Sequence, residues 1–522
     1  MNKPYFSEAA SHEFGAFYHH LGLVRHSMTP EVAGFFRAAM GDDAGWGERL
    51  DTEEMTRIAF EATSLFHEVR HLYDAFGTLA GISLFGAQMS LLKSFCVEMH
   101  MLRREGLSWS LPLADWAKAP ELAQARRDFV RRARAIHSGT AMFLAAFKPV
   151  EVPGHIEELV VKVDGPGGAI DAFPLRFVSY VEDKATPKTV LCPLGFETFM
   201  EGNAHAVARN LVGSYFPPEV ADELLMAVHV IDLGDEDDAK AGIAGRTPPY
   251  MVVDLLISRF LRAHGVEQFP RNIVFGLIDI VLSQSWLEII DIAVGVTGAR
   301  FDNLGGVLVD VLGQQSVEDL AAGKVTAAPE IDAGYRALLD QLEKGGDWDT
   351  VQDDLSPLSS MMIWESYCAQ HLTVPLLRAR LESDHAAFRT HEGFAELLGK
   401  FGQLPVSVVD GGLRFNLPER VVQAWGHVTM IASILHQLLD GRERVDCPRR
   451  AETVPGIHAC SFVAESDCAN FIRTGCGRFE AGIFAPSPPC HFEDILRRCG
   501  LARDGADADP IRPAPPAGAA GV

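Results

Sequence analysis

From Thr52 to Phe76 the chain contains neither glycine nor proline. Met55, Ile58, Leu65, Phe66, Val69 and Leu72 recur along it at roughly helical spacing, which predicts one long amphipathic helix over about 52–76. A helix of that length must bury its apolar stripe against other elements, so the surrounding fold has to form around it. Within it, His67, Glu68 and His71 spell His-Glu-x-x-His. Side chains four apart share a face, so both imidazoles can aim a ring nitrogen at one metal ion, a geometry that zinc accepts. Glu68 lies about 100° round the helix from His67, beside such a metal and free to hold a water. With nineteen histidines in 522 residues, and glutamate at roughly 7% of residues, chance supplies only about 0.05 such matches. Asp74 follows His71 by three residues on the same face, where it can orient an imidazole or approach the metal. The alternative is a buried helix whose histidines are satisfied by hydrogen bonds alone.

The element His67-Glu68-Val69-Arg70-His71 resembles the signature of the zincin metallopeptidases, and the resemblance covers this one helix. It implies that His67 and His71 bind Zn2+ and that Glu68 is the general base. The chain departs from the usual pattern at Arg70, where the family usually has an uncharged residue.

A second stretch, Leu194 to Asn210, predicts another helix over about 194–210. On it Glu197, Glu201 and His205 recur every four residues, a polar stripe amid Phe196, Phe199, Met200, Ala204 and Val207. An acid and an imidazole on one face suit a metal ligand and a proton donor. Glu201-Gly202-Asn203-Ala204 also resembles the Glu-Gly-x-Ala element with which many zincins of the glutamate-ligand (gluzincin-like) type deliver their third ligand. That resemblance implies the role for Glu201. Glu392-Gly393-Phe394-Ala395 matches the same pattern, and Glu98 and Asp74 are alternative third ligands, because catalytic zinc takes three protein ligands and keeps a position open.

Composition bounds the partners. A chain with 48% hydrophobic and 22% charged residues is ordinary for a folded protein, and its length suggests about two to four domains. A net charge of −24 argues against nucleic acid or an anionic membrane as partner. The N-terminal stretch has no basic region followed by an apolar run, so no signal peptide is expected and a cytoplasmic location is. Ala75 to Leu92 is apolar enough to raise a membrane span. Ser83, Gln88 and Ser90 interrupt it and Glu61, Arg70 and Asp74 flank it, so a buried helix, continuing to Arg104, is expected instead.

The expected fold class is mainly α with small β-hairpins (α+β), with a zincin-like helical catalytic core. Residues 1–340 are read as the catalytic region, 360–445 as a helical domain, 446–500 as a Cys-rich segment and 501–522 as a disordered tail. Residues 1–50 read as short helices, and His19, His20 and His26 share no clear ligand spacing. Residues 114–137 contain an arginine-rich amphipathic helix, a solvated face or a site for an acidic partner. Glu157–Asp164 and Ile170–Val181 flank Gly165-Pro166-Gly167-Gly168 and predict a hairpin; another is predicted around Val409–Gly412, followed by a helix from Pro418 to Leu439. Six of the nine cysteines lie at Cys447 and beyond, with no Cys-x-x-Cys pair, so free thiols rather than a zinc finger are expected.

These features together predict a zinc-dependent hydrolase, a metallopeptidase acting on a peptide or protein substrate, with Glu68 as base and His205 or Tyr73 as the donor to the oxyanion. Two other classes remain in view. Glu68-x-x-His71 and Glu382-Ser383-Asp384-His385 both spell Glu-x-x-His, the unit from which a di-iron carboxylate oxidoreductase is built. The third class is a regulatory or interaction protein with a structural metal site.

Overall fold

A computed structural model of the chain describes residues 15–18, 22–28, 52–104, 117–118, most of 124–134, 150–153, 177–181, 188–193, 195–215, 252–266, 269–270, 272–284, 304–351, 356–401, 404–409 and 412–439. These are mostly helical. The long helix is α1, Thr52–Gly77, 26 residues or about 39 Å. Its inward side carries Leu65, Phe66, Val69 and Phe76, all without solvent exposure. Burial of each such side chain stabilises the fold by about 1.5–3 kcal/mol.

Helix α2, Leu79–Arg104, follows after a single residue. Thr78 makes that junction: its hydroxyl donates to the carbonyl of Asp74 at 2.6 Å and accepts the amide of Gly81 at 3.1 Å, closing one helix and opening the next. Gly81 is required there, because a Cβ would overlap the Asp74 carbonyl. Among the described residues one segment, Leu79–Glu98, is long and apolar enough to cross a membrane, and more than half of it is buried inside the protein. It packs against α1 and the helices below.

The second predicted helix is α3, Phe196–Tyr215, whose Phe196, Phe199, Val207 and Leu211 are buried and which lies along α1. Behind it come α4 (Val252–Ala263), α5 (Asn272–Gln284), α6 (Leu304–Gln314), α7 (Val317–Ala321) and α8 (Pro329–Glu343). In α5 every residue from Ile273 to Ser283 is buried, so this apolar stretch is core. Next are α9 (Pro357–Cys368), a π turn at Ala369–Thr373, α10 (Val374–Glu382), α11 (Ala386–Arg389), α12 (His391–Phe401) and α13 (Glu419–Leu439). Helix α10 packs on α1, and α9 packs on both α2 and α13. One apolar core therefore runs from Leu23 to Leu439, with helices from both sides of the polar 343–360 stretch in it.

Strands correct part of the expectation for residues 1–50. Gly15–Tyr18 (β1) and Leu23–Met28 (β2) are strands, not helices. They extend a hairpin from far downstream: β6 (Val406–Val409) and β7 (Gly412–Phe415) pair antiparallel, Val409 opposite Gly412, and β2 lies parallel to β6 with Leu23 opposite Val406. The sheet order is β1-β2-β6-β7, and β1 and β2 pack on α1. A second sheet, β3-β5-β4, is antiparallel, with Val150–Pro153 and Phe177–Val181 on either side of Lys188–Pro193. Among the described residues, the strand ending at Val181 thus pairs with Lys188–Pro193. The Gly165–Gly168 turn, His19, His20, the Cys-rich segment at 446–500 and the 501–522 tail lie outside the described residues.

Candidate metal centre

Helices α1 and α3 bring three ligand atoms to one point. His67 Nε2 stands 2.8 Å from Glu201 Oε2, His71 Nε2 stands 3.0 Å from His67 Nε2, and His71 Nε2 stands 3.3 Å from the same carboxylate oxygen. Tetrahedral zinc, with ligand distances of about 2.0–2.1 Å, sets neighbouring ligand atoms about 3.3 Å apart. The triangle is therefore within a few tenths of an ångström of a zinc face. A proton on His67 Nε2 can serve Glu201 or His71 but not both, whereas a cation at the centre satisfies all three atoms at once. Side-chain exposures of 15% for His67 and 19% for Glu201 leave the cluster open to solvent on one side, as an incoming ligand requires.

Glu68 completes the donor set. Its Oε2 is buried without a hydrogen-bond partner. Burial pushes the Glu68 carboxyl up to about 7, against the pull of His67 and His71 and with the push of Glu201. Burial also disfavours charge on His71, but Glu201, with Glu68 and Asp74, outweighs it and carries the imidazole up to about 9. Glu201 goes the other way: burial opposes its charge, yet His71 and His67 hold it well below the ordinary carboxylate range. Two imidazoles and an ionised carboxylate around one point, with a second acid at its edge, are the donors a zinc hydrolase uses.

The alternative third ligands lie elsewhere. Glu98 Oε1 is 2.7 Å from the Arg126 guanidinium, and Glu392 is exposed beside His391. Asp74 faces the interior, where its Oδ1 accepts Arg70 Nε at 3.0 Å and its Oδ2 accepts Asn203 Nδ2 at 2.9 Å. Tyr73 is buried on the far side of α1: its hydroxyl donates to the Phe401 carbonyl at 3.2 Å and its ring packs edge-on to Phe394. It ties α1 to α12 and does not face the cluster. His205 lies half-buried one turn beyond Glu201 on the same face of α3.

Arg70, the charge within the motif, is fully buried. It pairs with Asp74 one turn on, donates to the Phe388 carbonyl at 3.0 Å, and lies over the Phe388 and Phe394 rings at 5.5 and 5.3 Å. Phe388 also carries Arg380, 3.8 Å from the ring centroid, which donates to the Gly77 carbonyl at 2.8 Å and pairs with Asp279. Arg389 also binds Asp279. The end of α1 is thus locked to α5, α10 and α11 by buried charge. Sequence reasoning missed Asn203 and the packing role of Arg70. The i to i+4 spacing of Arg70 and Asp74 was a usable signal; the Asn203 contact, 129 residues from Asp74, left none.

Asp332, Asp384 and His385 form a second group with ligand atoms close together. Here the His385 Nε2 is 2.5 Å from Asp332 Oδ1, and Arg380 stands 3.4 Å from Nδ1. Burial, Arg380 and Arg389 all disfavour positive charge on His385, and the same guanidiniums oppose a metal cation. The two Glu-x-x-His motifs contribute to separate groups, His71 to one and His385 to the other. No protein-family model, no curated protein and no solved structure matches this chain.

Proposed function

We propose that the chain is a zinc-dependent hydrolase, a metallopeptidase with a zincin-like helical core of the glutamate-ligand type. The observation that carries the reading is the convergence of His67 Nε2, His71 Nε2 and Glu201 Oε2 within 3.3 Å of one another, with the buried Glu68 Oε2 left without a partner. His67, His71 and Glu201 would hold the metal. Bound zinc supplies Lewis-acid polarisation of a carbonyl and a water acidified towards a pKa of about 7.

Glu68 takes the proton of the attacking water and returns it to the leaving amine. Its buried Oε2, left without a hydrogen-bond partner, is the oxygen that would accept that proton. His205, on the Glu201 face of α3, supplies the donor to the oxygen that gains charge during attack. The partly exposed side of the cluster admits the peptide, and the buried side excludes water behind the base.

Glu68→Gln tests the assignment. Assayed on a quenched-fluorescence peptide library, it should retain zinc and lose about 10²–10⁴-fold in rate. A variant that hydrolyses peptides as fast as wild type contradicts the proposal. Loss of nothing but stability would favour a structural metal.

A further inference from the structure

Glu201 comes from a helix whose position over α1 is not fixed by the ligands alone. Two residues on, Asn203 is fully buried and its amide nitrogen donates to Asp74 Oδ2 at 2.9 Å. Asp74 is in turn held by Arg70, which is anchored to the carbonyl of Phe388. Glu201 and Asn203 flank the buried Gly202, and both reach α1: one meets His67, the other Asp74, a residue seven further on and on the same face as His67. Two attachments about two helical turns apart on α1 stop α3 from sliding or rocking against it.

Asn203 is also an odd choice for stability. Its Oδ1 is buried without a hydrogen-bond partner, which is destabilising, and alanine is the better helix former. What the side chain contributes at this position is its bond to Asp74.

Resting on the metal-site reading above, we propose that Asp74 and Asn203 form an interhelical clasp that sets metal affinity by holding Glu201 in register with His67 and His71. They are positioning residues: neither touches the metal, and the clasp acts through the carboxylate two residues away. Bonds that orient a ligand from outside the metal's own contacts commonly control affinity by 10–100-fold.

The experiment measures zinc dissociation constants by chelator competition, with melting curves of the metal-free proteins. Wild type is compared with Asn203→Ala and with Tyr73→Phe, which removes a buried hydrogen bond of α1 on the side away from the cluster. Asn203→Ala should weaken zinc binding about 10–100-fold, with the metal-free melting temperature within about 3 °C of wild type, and Tyr73→Phe should keep wild-type zinc affinity. Wild-type affinity in Asn203→Ala, or an equal loss of affinity in Tyr73→Phe, overturns the clasp and leaves the metal site standing. Absence of zinc binding in wild type overturns both.

Discussion

His67 and Glu201 meet at 2.8 Å, Nε2 to Oε2, across 134 residues of chain. Nothing local to either helix dictates that meeting. It follows from the packing of α3 along α1, with Phe196, Phe199 and Val207 of α3 buried in the apolar core. The polar cluster occupies the edge of an apolar interface, where it is both desolvated and reachable.

Tyr73 and His205 should separate cleanly under mutation. Tyr73→Phe removes the bond to the Phe401 carbonyl and should cost about 1 kcal/mol of stability with hydrolysis unchanged. His205→Ala should leave zinc content and melting temperature near wild type and lower kcat about 10²–10³-fold. Urea titrations and steady-state kinetics on the two variants check the split, and a kcat loss confined to Tyr73→Phe would reverse the assignment.

Gly77 and Phe388 are coupled through space. A Cβ at Gly77 would overlap the Phe388 ring, so Gly77→Ala should destabilise by about 1–3 kcal/mol through overpacking. Phe388→Ala should cost about 3–5 kcal/mol, since the ring is fully buried and carries the Arg380 guanidinium 3.8 Å from its centroid. The double variant should lose less than the sum, because the methyl enters space the ring has left. A double-mutant cycle that proves additive would show that the two residues are not in contact.

Asp279 should make the fold acid-sensitive. Burial opposes its charge, but Arg380 and Arg389 outweigh burial and hold the carboxyl well below its ordinary range. A depressed folded-state pKa means that the unfolded chain takes up the proton first. The stabilisation is therefore present above the unfolded pKa of about 3.9 and drains away as the pH falls through the folded value. Asp279→Asn leaves two guanidiniums without their counter-ion and should cost about 3–5 kcal/mol at pH 7. Urea unfolding from pH 7 to pH 2 checks both points, with a shallower acid slope expected in the variant.

Much of this was legible in the sequence. The 3.6-residue period and the lack of glycine and proline predict α1, and the four-residue spacing of His67 and His71 puts them on one face before any packing is known. Spacing from His205 and the Glu-Gly-x-Ala resemblance make Glu201 one candidate third ligand beside Glu98, Asp74 and Glu392, and only the packing of α3 on α1 brings it to His67. Strands β1 and β2 were not legible, because Leu23 finds its partner at Val406, and short segments such as Gly15–Tyr18 take their conformation from pairing rather than from their own residues. Arg70 looked like an interruption of the motif. Its charge is offset by Asp74 and its guanidinium is stacked on Phe388, so a residue that reads as polar in sequence is packed as core.

The measurement that bears most directly on the metal centre is zinc content by mass spectrometry on untagged protein, with wild type beside His67→Ala and Glu201→Ala. One zinc per chain in wild type, lost in both variants, is the predicted result. Retention of zinc in Glu201→Ala, or no zinc in wild type even after it is added back, would contradict the account.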